Sequence, residues 1–216
     1  YIFYSKLDKY HRPKKIYRHK IGSSPKDDQL IFEEKDEGFT CSIDISSDEK
    51  YYIVSTSDHT SSEVHFFNVK EINIKPKLFK KRQKEIRYSI DSWNGNFFIH
   101  TNLDAEDFKI CMCKHDSIQN WKDYIPATKG VLIGGFNLLN EWMIRSEVRD
   151  ALSKLYVRNL NTNSEEELIV TQEKVISSGT SLIQKDRNTN KIYVAYNSPK
   201  TPGNTYIYDI LKKEKK

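Results

Sequence analysis

One period runs through this chain and limits what it can fold into. Four segments read as the same kind of strand: Tyr51-Tyr-Ile-Val-Ser-Thr56, Asn96-Phe-Phe-Ile-His-Thr101, Trp142-Met-Ile-Arg-Ser146 and Lys191-Ile-Tyr-Val-Ala-Tyr196. Each is a short apolar run that passes into polar turn residues. A further strand follows each one, beginning at Glu63, Lys109, Lys154 and Thr205, so the starts lie 46, 45 and 51 residues apart. A period in the forties, with several short strands in each unit, is the mark of β-propeller blades.

The other strands of the unit recur too. Cys41-Ser-Ile-Asp-Ile45 and Tyr88-Ser-Ile-Asp-Ser92 match as first strands, and Gly134-Gly-Phe-Asn-Leu138 is a looser copy. Fourth strands fall at 77–81, 121–125 and 166–170. Many strands are apolar on both faces, as expected where sheets stack face to face. The expected fold is therefore all-β, a propeller of four-stranded antiparallel blades. Complete blades are expected at 38–84, 85–129 and 130–173, with partial ones at 1–37 and 174–216. The first partial blade has strands at Tyr1, Lys15 and Gln29. The last has an inner strand near Val175 to Gly179 and stops before a clear fourth. Open ends of this kind expose strand edges, so the isolated chain is expected to associate through them. The start at Tyr1, without an initiator Met, suggests a piece of something longer.

Composition narrows the class. With 13 Tyr and 10 Phe but only 8 Gly and 2 Met, the 216 residues favour pleated strands. A mean hydropathy of -0.71 and 30% charged residues give a very polar surface. No stretch approaches the roughly 20 apolar residues that cross a bilayer, and no signal-peptide pattern is present. No membrane partner is expected. The net charge is +5, with Lys exceeding Arg by 27 to 8. Apart from 77–84 and the tail 212–216 the Lys residues are scattered, which reads as solvated edges rather than a nucleic-acid surface. Three Cys (Cys41, Cys111, Cys113) are too few for a disulfide scaffold, and Cys111 and Cys113 lack a second ligand pair for zinc. A reduced, cytoplasmic setting follows, with no metal and no cofactor.

Catalytic motifs are missing. The one Gly pair at the spacing of a Gly-x-Ser-x-Gly elbow, Gly130 and Gly134, brackets Leu132. Neither His-Glu-x-x-His nor a phosphate-binding Gly-rich loop occurs. The acidic runs Glu33-Glu34, Asp36-Glu37 and Glu165-Glu166-Glu167 read as solvated turns, and the six His as isolated, each a satisfied or solvated side chain rather than a ligand. The candidate binding residues are Ser42 and Asp44, with Ser89 and Asp91 at equivalent positions of the next unit. First strands line a propeller's central tunnel, so these four either face the tunnel or close strand ends by binding turn backbone.

Several longer strings carry a resemblance. They are His11 to Gly22, Asp28-Gln-Leu-Ile-Phe-Glu-Glu-Lys-Asp-Glu-Gly-Phe39, Ser57 to Val64, and Tyr196-Asn-Ser-Pro-Lys-Thr-Pro-Gly-Asn-Thr-Tyr-Ile-Tyr-Asp209. In order and spacing the chain resembles the oligopeptidase B (protease II) group of the prolyl oligopeptidase family of serine peptidases. That resemblance implies a seven-bladed propeller capping an α/β-hydrolase domain of the same protein, which cleaves short peptides after Lys or Arg. The propeller restricts access to short basic peptides. None of the family's triad or basic-residue-selecting positions has a counterpart here, so the chain alone is expected to be inactive, with the catalytic half before Tyr1 and beyond Lys216. A stand-alone interaction propeller fits the repeat equally well, although none of the three Trp is followed by Asp as in WD40 repeats. A propeller glycosidase is the weakest of the three readings.

Overall fold

The computed structural model describes residues 1–71, 73, 75–172, the backbone of 179–182, and 186–216. It is built from five antiparallel sheets in chain order. The first is three-stranded, β1 (Ile2–Leu7), β2 (Pro13–His19) and β3 (Gln29–Glu33), with a 3-10 turn at Pro25–Asp27. The second holds β4 (Thr40–Ile45), β5 (Tyr51–Ser57), β6 (Ser62–Asn68) and β7 (Lys77–Lys80). The third holds β8 (Tyr88–Trp93), β9 (Asn96–Thr101), β10 (Lys109–Lys114) and β11 (Lys122–Ile125). The fourth comprises β12 (Val131–Leu139), β13 (Trp142–Arg149), β14 (Leu152–Asn159) and β15 (Glu165–Leu168). The fifth comprises β16 (Gly179–Leu182), β17 (Lys191–Asn197), β18 (Asn204–Asp209) and β19 (Glu214–Lys215). Within every sheet each strand pairs with its sequence neighbour, the meander expected of a blade.

The last sheet departs from the sequence reading, which left 174–216 without a fourth strand. Glu214 pairs with Asp209 and Lys215 with Tyr208. Two charged residues carry no apolar alternation, so pattern alone could not find them. The inner strand placed near Val175 to Gly179 lies mostly outside the described residues, and the described strand starts at Gly179.

Two compact units make up the chain: Tyr1–Asp104 with Ile110–Ile125, and Ala105–Lys109 with Pro126–Lys216. In the first unit the β4–β7 sheet is covered on both faces. Adjacent residues Ile53 and Val54, and Phe66 and Phe67, are all buried although they point to opposite sides. Val54 and Phe67 meet Ile16 and Phe3 of the first sheet. Ile53 and Phe66 meet Phe97 and Ile99 of the third. Phe97 is the centre of this second contact, with ring centroids 5.1 Å from Tyr51, 5.1 Å from Phe66 and 5.2 Å from Phe79. In the second unit Ile144, Leu155, Val157 and Leu168 form a core with Ile192, Val194 and Tyr208. Each fully buried side chain of this kind contributes about 1.5–3 kcal/mol relative to exposure.

Tight turns set the registers. Asn94 and Gly95 join β8 to β9 with φ of 48° and 80°, the type I′ geometry that Asn-Gly supplies. Asp150 and Ala151 join β13 to β14 with φ of 50° and 61°, which puts an Ala in a left-handed conformation it disfavours.

Candidate functional site

The four residues singled out on β4 and β8 part company. Alternation along β4 buries Cys41 and leaves Ser42 and Asp44 exposed. Along β8 it buries Tyr88, Ile90 and Ser92, leaving Ser89 exposed and Asp91 half-buried. The Asp91 carboxylate accepts from the Ser47 amide at 2.7 Å, the Ser47 hydroxyl at 2.5 Å and the Ser92 amide at 2.8 Å. Asp91 thus binds turn backbone in the neighbouring sheet, while Asp44 and Ser42 stand on the surface.

Beside Asp91 the structure assembles a grouping whose members, one by one, look like ordinary turn residues. Ser92 Oγ donates to Asp48 Oδ2 at 2.9 Å and lies 2.9 Å from His115 Nε2. His115 Nδ1 is 3.1 Å from the Tyr51 hydroxyl. Asp48 Oδ1 accepts from Ser46 Oγ at 2.8 Å, and Ser46 Oγ accepts from the Tyr51 amide at 3.0 Å. His115 is thus a satisfied side chain, held by two hydroxyls. Burial pushes its pKa down, against a hydrogen bond to the Asn96 backbone and the Asp48 charge that pull it up. Burial and the Asp48 and Glu71 charges raise the Tyr51 phenol.

A serine, a histidine and a carboxylate in contact invite comparison with a hydrolase triad, but the protons run the wrong way. In a triad the serine hydroxyl gives its proton to histidine. Here the one Ser92 hydrogen goes to Asp48, so a neutral His115 donates from Nε2 to Ser92 and accepts from Tyr51 at Nδ1. Ser92 is also 0% exposed. It has neither a base nor a path to a substrate.

The contact between the first and second sheets carries its own polar cluster. Glu34 is buried and its Oε2 accepts from Arg82 Nη2 at 2.6 Å, while Oε1 accepts from the Asp36 amide at 2.9 Å. Arg82 reaches Glu63 Oε1 at 3.3 Å and lies 3.9 Å from the Phe39 ring centroid. Lys14 Nζ donates to the Phe39 and Asp36 carbonyls. His65, 3.9 Å from Glu63, is held below its usual pKa by burial. Glu34 is thus a buried ion-pair partner, not a solvated turn acid. Only Glu33 of that pair behaves nearer to expectation, sharing a half-exposed bridge with Lys15 at 2.9 Å.

In the second unit the acidic run 165–167 also lies on a strand, β15, rather than in a turn. Glu165 pairs with Arg145 and Arg158, Glu166 with Lys213 and Glu167 with Lys154. Arg145 is buried and forks onto Glu147 Oε1 at 2.9 and 2.7 Å. A cleft of about 260 Å³ beside Trp142, Val157 and Ile210 is rimmed by Glu165, Glu166 and Lys213; Lys213 pairs with Glu166, and Arg145 with Glu165.

Cys41, Cys111 and Cys113 are buried free thiols, and burial pushes Cys41 and Cys113 up to about 11. Among the described residues no group of three or more His, Cys, Asp or Glu side chains could hold a metal ion. No described helix is long and apolar enough to cross a membrane.

The family profile described as prolyl oligopeptidase, N-terminal β-propeller domain, matches residues 1–216. Protease 2 of Moraxella lacunata is 25% identical over 215 residues, covering 100% of this chain and 31% of that protein. Dipeptidyl aminopeptidase BI of Pseudoxanthomonas mexicana is 28% identical over 196 residues, 89% of this chain and 27% of that protein. Among solved structures, oligopeptidase B from Trypanosoma brucei superposes with a TM-score of 0.91 at 24% identity, covering 99% of this chain and 32% of that one. That likeness shows the propeller fold. The chain spans about a third of the length of these relatives.

Proposed function

The chain belongs to the prolyl oligopeptidase family of serine peptidases as part of its N-terminal β-propeller domain, and from that membership we propose that it gates access to a catalytic domain of the same protein. The family match across residues 1–216 carries the reading. The peptides admitted are short ones cut after Lys or Arg, the specificity implied by the resemblance to the oligopeptidase B group. The strings Glu33-Glu-Lys-Asp36 and Thr201-Pro-Gly203 support that assignment.

The chain's own contribution is to shape and hold the gate. Its polar groups are spent on joining one sheet to the next, as Asp91, Ser92 and Glu34 illustrate. The Ser92 hydroxyl, which donates to Asp48 rather than to His115, supports the view that the isolated chain hydrolyses nothing. Exposed Ser42, Asp44 and Ser89 remain the candidates for contact with passing peptide. Three buried free thiols agree with a reducing, cytoplasmic setting. At the margin, β1 is a sheet edge with Ile2 and Leu7 exposed, which supports self-association of the isolated chain.

Incubating the chain alone with a chromogenic Lys or Arg dipeptide should release no product. Turnover that survives repurification and tracks the chain through a second column would refute this reading.

A further inference from the structure

His115 sits where two sheets meet, and nothing in the gating role requires it there. It leaves β10 just after Lys114 and reaches across to the turn between β4 and β5. The polar groups facing it are the Tyr51 hydroxyl at the start of β5 and the Ser92 hydroxyl on β8. The Asn96 backbone also bonds the ring, and the charged groups around it are Asp48 and Lys50 of the turn and Asp116 of its own loop. The Phe97 ring packs 4.4 Å from its centroid, and Tyr51 meets it edge-on at 5.0 Å. The imidazole is half-buried against two aromatic rings and a hydroxyl chain, with the Asp48 carboxylate beyond the chain.

We propose that His115 is an acid-released latch between the β4–β7 sheet and the β8–β11 sheet. Neutral, it closes the directed chain Tyr51 to His115 to Ser92 to Asp48, in which every hydrogen has an acceptor. Protonated, it gains a hydrogen on Nδ1 where it had accepted from Tyr51, and it places a charge between the Phe97 and Tyr51 rings next to Lys50. The Asn96 backbone, Asp48 and Asp116 favour the charged ring, but Ser92 stands between it and Asp48, and burial outweighs the three.

The direction of the His115 shift agrees with that geometry. A histidine whose folded pKa is lowered contributes stability that is present above its unfolded value, about 6.5, and is lost as pH falls below it. One proton is taken up on release. The opening constant therefore rises by at most tenfold per pH unit.

Two amides report on the latch directly. The Ser47 amide donates across the contact to Asp91 at 2.7 Å, and the Asp48 amide to the Ser92 carbonyl at 3.3 Å. Hydrogen exchange should be followed in the intact polypeptide that carries this chain, between pH 8 and 5.5, above the ordinary carboxylate range. After correction for intrinsic exchange, protection at Ser47 and Asp48 should fall with pH by up to tenfold per unit. His115→Gln, which cannot titrate, should flatten that dependence. His65→Gln, in the other sheet contact, should leave it in place. A flat wild-type profile, or the same fall in His115→Gln, overturns the proposal. If His115→Gln does not fold, the wild-type ring resonance decides. Its titration midpoint should lie below the ordinary histidine value and track the loss of protection; a midpoint at or above that value overturns the latch.

Discussion

Arg82→Met would keep most of the aliphatic stem and remove the guanidinium that joins Glu34 to Glu63. The Glu34 side chain is 5% exposed and would keep one donor, the Asp36 amide, while its Oε2 lost its 2.6 Å partner. Breaking a fully buried pair from one side costs about 3–5 kcal/mol. The Arg82 side chain is 24% exposed, so water relieves part of the stranded charge and about 2–3 kcal/mol is expected. Glu34→Gln is milder, about 1–2 kcal/mol, because its one amide oxygen still accepts from either Arg82 or the Asp36 amide and Arg82 keeps Glu63. In the double variant position 34 carries no charge and Glu63 keeps the backbone amide of residue 82, so the cycle should return a coupling of about 1–2 kcal/mol. Urea unfolding read by far-UV dichroism and tryptophan fluorescence gives each value, with the midpoint shifting at constant slope. A coupling under about 0.5 kcal/mol, or an Arg82→Met chain as stable as the wild type, would refute the idea that this pair joins the first two sheets.

The hydrophobic contact one sheet further on should carry a larger effect. Phe97→Ala removes a fully buried ring that touches Tyr51, Phe66, Phe79 and His115, and should cost about 3–5 kcal/mol in the same assay. Ala151→Gly should do the reverse, raising stability by about 0.5–1 kcal/mol, because it relieves a left-handed Ala in a type I′ turn; a loss would contradict the turn geometry. The thiols should be silent at pH 7.5. Burial and the raised pKa of Cys41 and Cys113 keep them from a thiol reagent until urea unfolds the chain, when three should react.

Much of the fold was legible because a strand covered on both faces shows itself as consecutive apolar residues. Ile53-Val54 and Phe66-Phe67 are such pairs, and the structure buries each pair on opposite sides of one sheet. Fourth strands were harder. The one expected at 166–170 lies at Glu165–Leu168, and Glu214–Lys215 was missed, since charged residues held only by ladder bonds leave no periodic trace. The polar site was least visible. Asp91 differs from Asp44 through what lies across the sheet contact, namely Ser47, and no local pattern reports that. One signal was nevertheless present: Ser47 and Asp91, and Asp48 and Ser92, are each 44 residues apart, close to the blade period. Equivalent turn and strand positions in consecutive units are where cross-sheet partners fall. The acidic runs misled for the opposite reason, because Glu34 and Glu165 find their cations far along the chain, at Arg82 and Arg145.

The gating claim is tested most directly by how cleavage depends on substrate length. With the intact polypeptide that carries this chain, kcat/KM should be measured for a series of unstructured peptides sharing one Lys or Arg site. It should fall steeply as residues are added on either side. The fall should become shallower in Arg82→Met, where the sheets are less firmly joined. Equal cleavage of long and short members, with no response to Arg82→Met, would contradict a gating role for this domain.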